Sequence, residues 1–172
     1  MTLKEQYRRQ QVEREAQRAR LVDQLYHRPG RLVSKPEVFV FDLDGTLANV
    51  QDRDPLDAGV CSADRTNPAV VAIAKALQQA GYGIVCASGR GERYRAPTHQ
   101  FLIHACNLTE YLSLVMRHDG DTRPDALVKA ELYRDEIAPR FEVLGVFDDR
   151  NTVVAVWRWL GLPCFQVDNR VD

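Results

Sequence analysis

Between residues 38 and 49 the chain reads VFVFDLDGTLAN, and the two acids in it, Asp42 and Asp44, are the first side chains with chemistry to offer. They follow a β-branched and aromatic run of strand length and precede Gly45, which breaks it, so both acids fall where a buried strand leaves its sheet. Ser88-Gly89-Arg90 and Asp148-Asp149 stand in the same relation to two later apolar runs, and Lys129 lies shortly before the second of these. Three carboxylate positions converging on one edge repel each other unless a cation sits between them. An all-oxygen set without His or Cys points to Mg²⁺. A carboxylate beside that ion can attack phosphorus to give an aspartyl-phosphate, while an acid two residues on protonates the leaving oxygen and later activates water. In this reading Ser88 and Lys129 hold the phosphoryl oxygens and offset their charge. Gly45 lets the chain turn sharply, and Thr46 pins the turn.

These residues need a scaffold that brings four distant segments to one rim. The pattern predicts strands over 38–41, 82–87, 111–116, 143–147 and 164–167, alternating with helices over 68–79, 97–107, 125–137 and 151–160. Asn67-Pro68 reads as an N-cap followed by proline at the first helical position, and Ala80-Gly81 as that helix's stop. Residues 48–66 and 117–124 read as polar loops. Strands alternating with helices argue an α/β fold with a doubly wound, mostly parallel sheet, in which ligands bind beyond the carboxyl ends of the strands.

At 172 residues with 45% apolar content the chain suits one domain with a real core. Lys and Arg number 23 against 24 Asp and Glu, a net charge of −1, so any nucleic-acid contact must come from a local patch. Residues 1–31 carry eight basic and four acidic side chains, a net +4, and are set apart as a basic helical arm; residues 32–172 form the predicted domain. Val12, Ala16, Ala19, Val22 and Tyr26 give the arm a thin apolar stripe. It reads as a nucleic-acid arm, as an element building a homo-oligomer, or as a solvated appendage. Four cysteines without a C-x-x-C pair and no apolar leader suit a reduced, cytoplasmic protein, and no run has the length of a membrane span. His99, His104 and His118 lack ligand spacing and read as ordinary surface or loop residues. Trp157 and Trp159 are too close to share a helix face, so one packs and the other is partly exposed.

D-L-D-G-T-L, S-G-R, a lone Lys and a terminal D-D, in that order and each at or near a strand end, resemble the four motifs of the haloacid dehalogenase superfamily. Within it the chain resembles the 3′-phosphatase domain of phage-type polynucleotide kinase-phosphatase. The resemblance rests on D-L-D-G-T-L-A followed by Arg53 and Pro55, Asn67-Pro68, S-G-R at 88–90, G-D-T-R at 120–123, V-K-A-E at 128–131, I-A-P-R-F at 137–141 and D-D-R at 148–150. It covers about residues 37–168 and leaves the arm unmatched. It implies a haloacid dehalogenase-type phosphatase acting on 3′-phosphorylated DNA or RNA ends, with Asp42 as nucleophile and Asp44 as general acid and base. Asp42, the Asp44 main-chain carbonyl and the Asp148-Asp149 pair would hold Mg²⁺. Ser88, Arg90 and Lys129 would bind the transferred phosphate, with Thr46 also at the substrate side, and Arg53 and Arg123 would orient the nucleic-acid end. The chain contains no Gly-Lys dipeptide and hence no Walker loop, so 5′-kinase activity, or ligation, would need a separate partner.

The interval from Gly91 to Val128, 38 residues, must already hold a helix and a core strand, which leaves no room for a cap domain. An uncapped rim suits a polymer end, and Arg53, Arg65, Arg93, Arg95, Arg117 and Arg123 fall in the loops around it. A nucleotidase or other small-substrate phosphatase of the same chemistry is the second reading, disfavoured by the missing cap. A non-enzymatic phospho-acceptor domain is the third; its acceptor Asp follows the third strand, whereas here the acidic pair follows the first.

Overall fold

The computed structural model describes residues 35–50 and 61–167. The basic arm and Arg53 lie outside the described residues. The chain from Glu37 onward forms a compact unit built on a five-stranded sheet. Its strands are β1 (Glu37–Phe41), β4 (Gly83–Gly91), β5 (Ser113–Arg117), β6 (Glu142–Asp148) and β7 (Cys164–Gln166), in the order β5-β4-β1-β6-β7. Every pairing among them is parallel. The order runs outward from β1 in both directions, so the chain switches direction between β1 and β6, and the crevice of a doubly wound sheet opens at that switch.

Period-2 alternation sorts the strand side chains onto two cores. Phe41, Ile84, Cys86, Leu114, Met116 and Phe147 face one side, where they meet α1 (Pro68–Gln79) and α2 (Arg95–Gln100), which continues as a wider turn to Ala105. Val38, Val40, Val85, Ala87, Val115 and Val146 face the other, against α3 (Asp125–Leu132, continuing to Ile137) and α4 (Asn151–Trp159). Trp157 is the fully buried member of its pair and Trp159 is 83% exposed. Among the described residues no helix is long and apolar enough to cross a membrane.

Three local expectations differ from the structure. The stretch read as a loop from 48 to 66 contains a short antiparallel pair, β2 (Ala48–Asn49) with β3 (Arg65–Thr66), which closes the excursion after the first strand. Ser88 and Arg90 lie within β4 rather than beyond it, because β4 keeps pairing with β5 through Gly91. The register there jumps from Ser88 opposite Met116 to Gly91 opposite Arg117, so Gly89 and Arg90 bulge from the ladder toward the crevice. Asn67 occupies the N-cap position before Pro68, but its side chain makes no capping bond; its main-chain N–H donates to the Leu47 carbonyl at 2.8 Å instead.

Candidate active site

The crevice is a cavity of about 600 Å³ at the carboxyl ends of β1, β4 and β6, lined by Asp42, Asp44, Arg90, Arg123, Asp148 and Asp149 among others. Asp42 leaves β1 with its main-chain N–H on the Phe147 carbonyl at 2.9 Å, which locks the first acidic motif to the last. Carboxylate oxygens of Asp42, Asp148 and Asp149 lie within 4.8 Å of one another. Lys129, 1% exposed, reaches between them from α3 and donates to Asp42 Oδ1 at 2.5 Å and Asp148 Oδ2 at 3.0 Å. Burial opposes charge on Lys129, but Asp42 and Asp148 outweigh it and hold its pKa above the ordinary lysine value. Burial raises the pKa of Asp42 well above the carboxylate range, and Asp148 and Asp149 add to that despite the pull of Lys129. Asp149 is raised by burial and then by the charge of Asp148. One ammonium against three carboxylates leaves the cluster short of positive charge. A hard divalent cation with oxygen ligands fits that deficit, and Mg²⁺ matches the donor set.

Asp44 is not in that cluster. Its carboxylate is gripped by Arg90, Nε to Oδ2 at 3.0 Å and Nη2 to Oδ1 at 2.6 Å. Arg90 also reaches Asp64 Oδ2 at 2.9 Å and Thr98 Oγ1 at 3.3 Å. Arg90, expected at the transferred phosphate, lines the cavity with its side-chain donors directed to Asp44, Asp64 and Thr98. Ser88 is fully buried and its Oγ accepts the Arg90 main-chain N–H at 3.1 Å. Thr46 does not pin the turn through its hydroxyl, which is buried and makes no hydrogen bond among the described residues. The turn is closed by main-chain bonds, Thr46 N–H to Leu43 and Gly45 N–H to Ala48. Gly45 has φ +92°, and a Cβ there would lie 2.1 Å from Asp149 Oδ2, so the residue must lack a side chain on both counts. At Gly89 space alone is the constraint: a Cβ would meet Asp125 Oδ1 at 2.2 Å.

The structure adds residues that the sequence reading passed over. Trp157 Nε1–H donates to Asp148 Oδ2 at 3.0 Å, so a core aromatic also orients a carboxylate of the cluster. Asp64 anchors Arg90 from the buried side. Asp125, one helical turn before Lys129 on α3, accepts from Arg117 Nη2 at 3.0 Å and Arg150 Nη1 at 3.4 Å. Its i, i+4 spacing to Lys129 on one helix face was the available signal; an acid in the polar loop at 64 carried none. Arg117 also holds the Gly89, Asp121 and Arg123 carbonyls, which shapes the loop between β5 and α3. Arg123 lines the cavity half-exposed, paired with Asp121 at 2.7 Å and Glu131 at 2.6 Å.

Residues 36–170 match the family described as the polynucleotide kinase PNKP phosphatase domain. A protein of Autographa californica nuclear polyhedrosis virus named as a bifunctional polynucleotide kinase/RNA ligase is 32% identical over 130 residues, which cover 74% of this chain and 19% of that protein. Among solved structures, a chain of the Pnkp1/Rnl/Hen1 RNA repair complex is 40% identical with a TM-score of 0.74, over 83% of this chain and 46% of that one. The D,D-heptose bisphosphate phosphatase of B. bronchiseptica, solved with magnesium and phosphate, shares the fold at 17% identity and a TM-score of 0.58, over 76% of this chain and 79% of that one. The chain thus spans about a fifth of the viral relative and about half of the repair-complex chain.

Proposed function

Because the chain belongs to the family of polynucleotide kinase PNKP phosphatase domains and is a phosphoric monoester hydrolase, we propose that it is a Mg²⁺-dependent polynucleotide 3′-phosphatase that leaves a 3′-hydroxyl on DNA or RNA for repair. The observation that carries this reading is the family match across residues 36–170. The open crevice supports it, since the described residues place no cap domain over the carboxylates. Asp42 Oδ1 is taken by Lys129, so the second carboxylate oxygen attacks phosphorus in line with the 3′-oxygen. The P–O bond to that oxygen breaks as Asp44 delivers a proton to it. Asp44 then takes a proton from water, whose oxygen attacks the aspartyl-phosphate and releases inorganic phosphate and Asp42. Mg²⁺, held by Asp42, Asp148, Asp149 and the Asp44 carbonyl, would supply charge neutralisation for the phosphoryl oxygens. Lys129 provides a second positive charge, and Arg90 keeps Asp44 facing the leaving group.

A separate kinase or ligase partner, suggested by the names of the relatives, would complete end repair. Residues 1–31 would form a basic segment distinct from the catalytic domain, touching nucleic acid, pairing copies in a homo-oligomer or serving as a solvated appendage. Free thiols at Cys61, Cys86, Cys106 and Cys164 favour a cytoplasmic setting.

The test is phosphate release from 3′-phosphorylated DNA and RNA oligonucleotides with Mg²⁺ and with chelator. Release is expected only with the metal, faster from an oligonucleotide than from a nucleoside 3′-monophosphate. Asp44→Asn should lower turnover by about 10²–10⁴-fold, as loss of a general acid does, and Asp42→Asn should abolish it. Metal-independent release, or activity of Asp42→Asn near the parent's, overturns the mechanism. Equal turnover of oligonucleotide and monophosphate favours the small-substrate reading.

A further inference from the structure

Five arginines line the cavity, and four of them are already engaged with protein acids. Arg90 is bound to Asp44 and Asp64, Arg117 to Asp125, Arg123 to Asp121 and Glu131, and Arg150 to Asp125. Arg93 differs. Its main-chain N–H donates to Asp119 Oδ1 at 3.0 Å, but among the described residues its guanidinium makes no hydrogen bond and no ion pair. The neighbouring acid Glu92 is turned to Arg95 instead. What holds the Arg93 guanidinium is Tyr94: its Cζ lies 4.8 Å from the centroid of that ring. Tyr94 in turn packs against the core, so the platform is fixed.

Stacking engages the face of a guanidinium and leaves the N–H groups in its plane available, a geometry suited to a phosphodiester fork. Resting on the proposed polynucleotide function, we propose that Arg93, stacked on Tyr94 at the cavity rim, binds the internucleotide phosphate next to the terminal 3′-phosphate. It would be a specificity residue: it touches only substrates that continue into a strand. The scissile phosphate is left to the cluster around Asp42.

The experiment compares a 3′-phosphorylated dinucleotide, which has one internucleotide phosphate, with the corresponding nucleoside 3′-monophosphate, which has none. Arg93→Ala is expected to lower the ratio of their kcat/KM values by about tenfold, through KM on the dinucleotide. Arg93→Lys should restore only part of that ratio, since it keeps the charge but loses the planar fork held over Tyr94. The slope of log kcat/KM against log salt on a longer single strand should become shallower by about 0.7 in Arg93→Ala, the amount expected for one lost phosphate contact. An unchanged ratio and slope in Arg93→Ala, with the parent still preferring the dinucleotide, overturns the role of Arg93 and leaves the polynucleotide reading standing. A parent that shows no preference for the dinucleotide overturns both.

Discussion

A lysine 1% exposed is tolerable only because both faces of its ammonium meet carboxylates, and Lys129 has Asp42 and Asp148 within 3.0 Å. Asp148 is held from three sides, since it accepts from Lys129, from Trp157 Nε1–H and from the Arg150 main chain at 3.2 Å. Trp157→Phe keeps most of the packing volume and removes one donor. Stability should fall by about 1.5–3 kcal/mol, the range for a hydrogen bond to a charged group, and Mg²⁺ affinity by about 10–100-fold. Denaturant unfolding and metal titration check the two separately, and an unchanged Mg²⁺ affinity would remove Trp157 from the support of the site. At this scale the sequence was informative where residue type and chemistry coincide, as at Asp42, Lys129 and Asp148. It was silent on Trp157 and Asp64, because a hydrogen bond from a core indole, or an acid buried under an arginine, leaves no trace in local spacing.

At the level of elements, the two acidic motifs sit where β1 and β6 end, S-G-R bulges from within β4 and Lys129 comes from α3, and two glycines are the joints. β1, β4, β5 and β6 were legible because each is an apolar run bounded by turn residues. The β2–β3 pair was not, since two residues on each side carry no period. The bulge that turns Gly89 and Arg90 out of β4 was hidden too; a strand and a strand followed by a loop look alike when the residues are Ser, Gly and Arg. Gly89→Ala would push Asp125 away and with it Arg117 and the loop that Arg117 supports. Overpacking of this kind costs about 1–3 kcal/mol, and kcat should fall by more than the loss of folded protein explains. Circular dichroism at the assay temperature beside turnover measures both, and full activity in Gly89→Ala would show that Asp125 can move freely.

For the whole domain, the concentrated negative charge is a built-in destabiliser that a bound metal would relieve. The folded-state pKa values of Asp42 and Asp149 are raised, so their ionisation disfavours folding at neutral pH, and the penalty fades as pH falls through those values. In the proposed function Mg²⁺ would bind the ionised form. At a hundredfold excess over Kd it should stabilise the fold by about 2.7 kcal/mol and raise Tm by about 5–10 °C. The increment should be largest near pH 7.5 and shrink toward pH 5 as protons compete for the same oxygens. Calorimetry with and without Mg²⁺ at the two pH values decides it, and an increment that grows on acidification would place the ion elsewhere. The Lys129–Asp42 bridge spans 87 residues of sequence and the Arg90–Asp44 bridge 46. Contacts that distant close late and slowly, because the loops between them must be ordered first. Strands and helices can therefore be present in a refolding chain before the catalytic carboxylates meet, and turnover requires β6 to be docked beside β1.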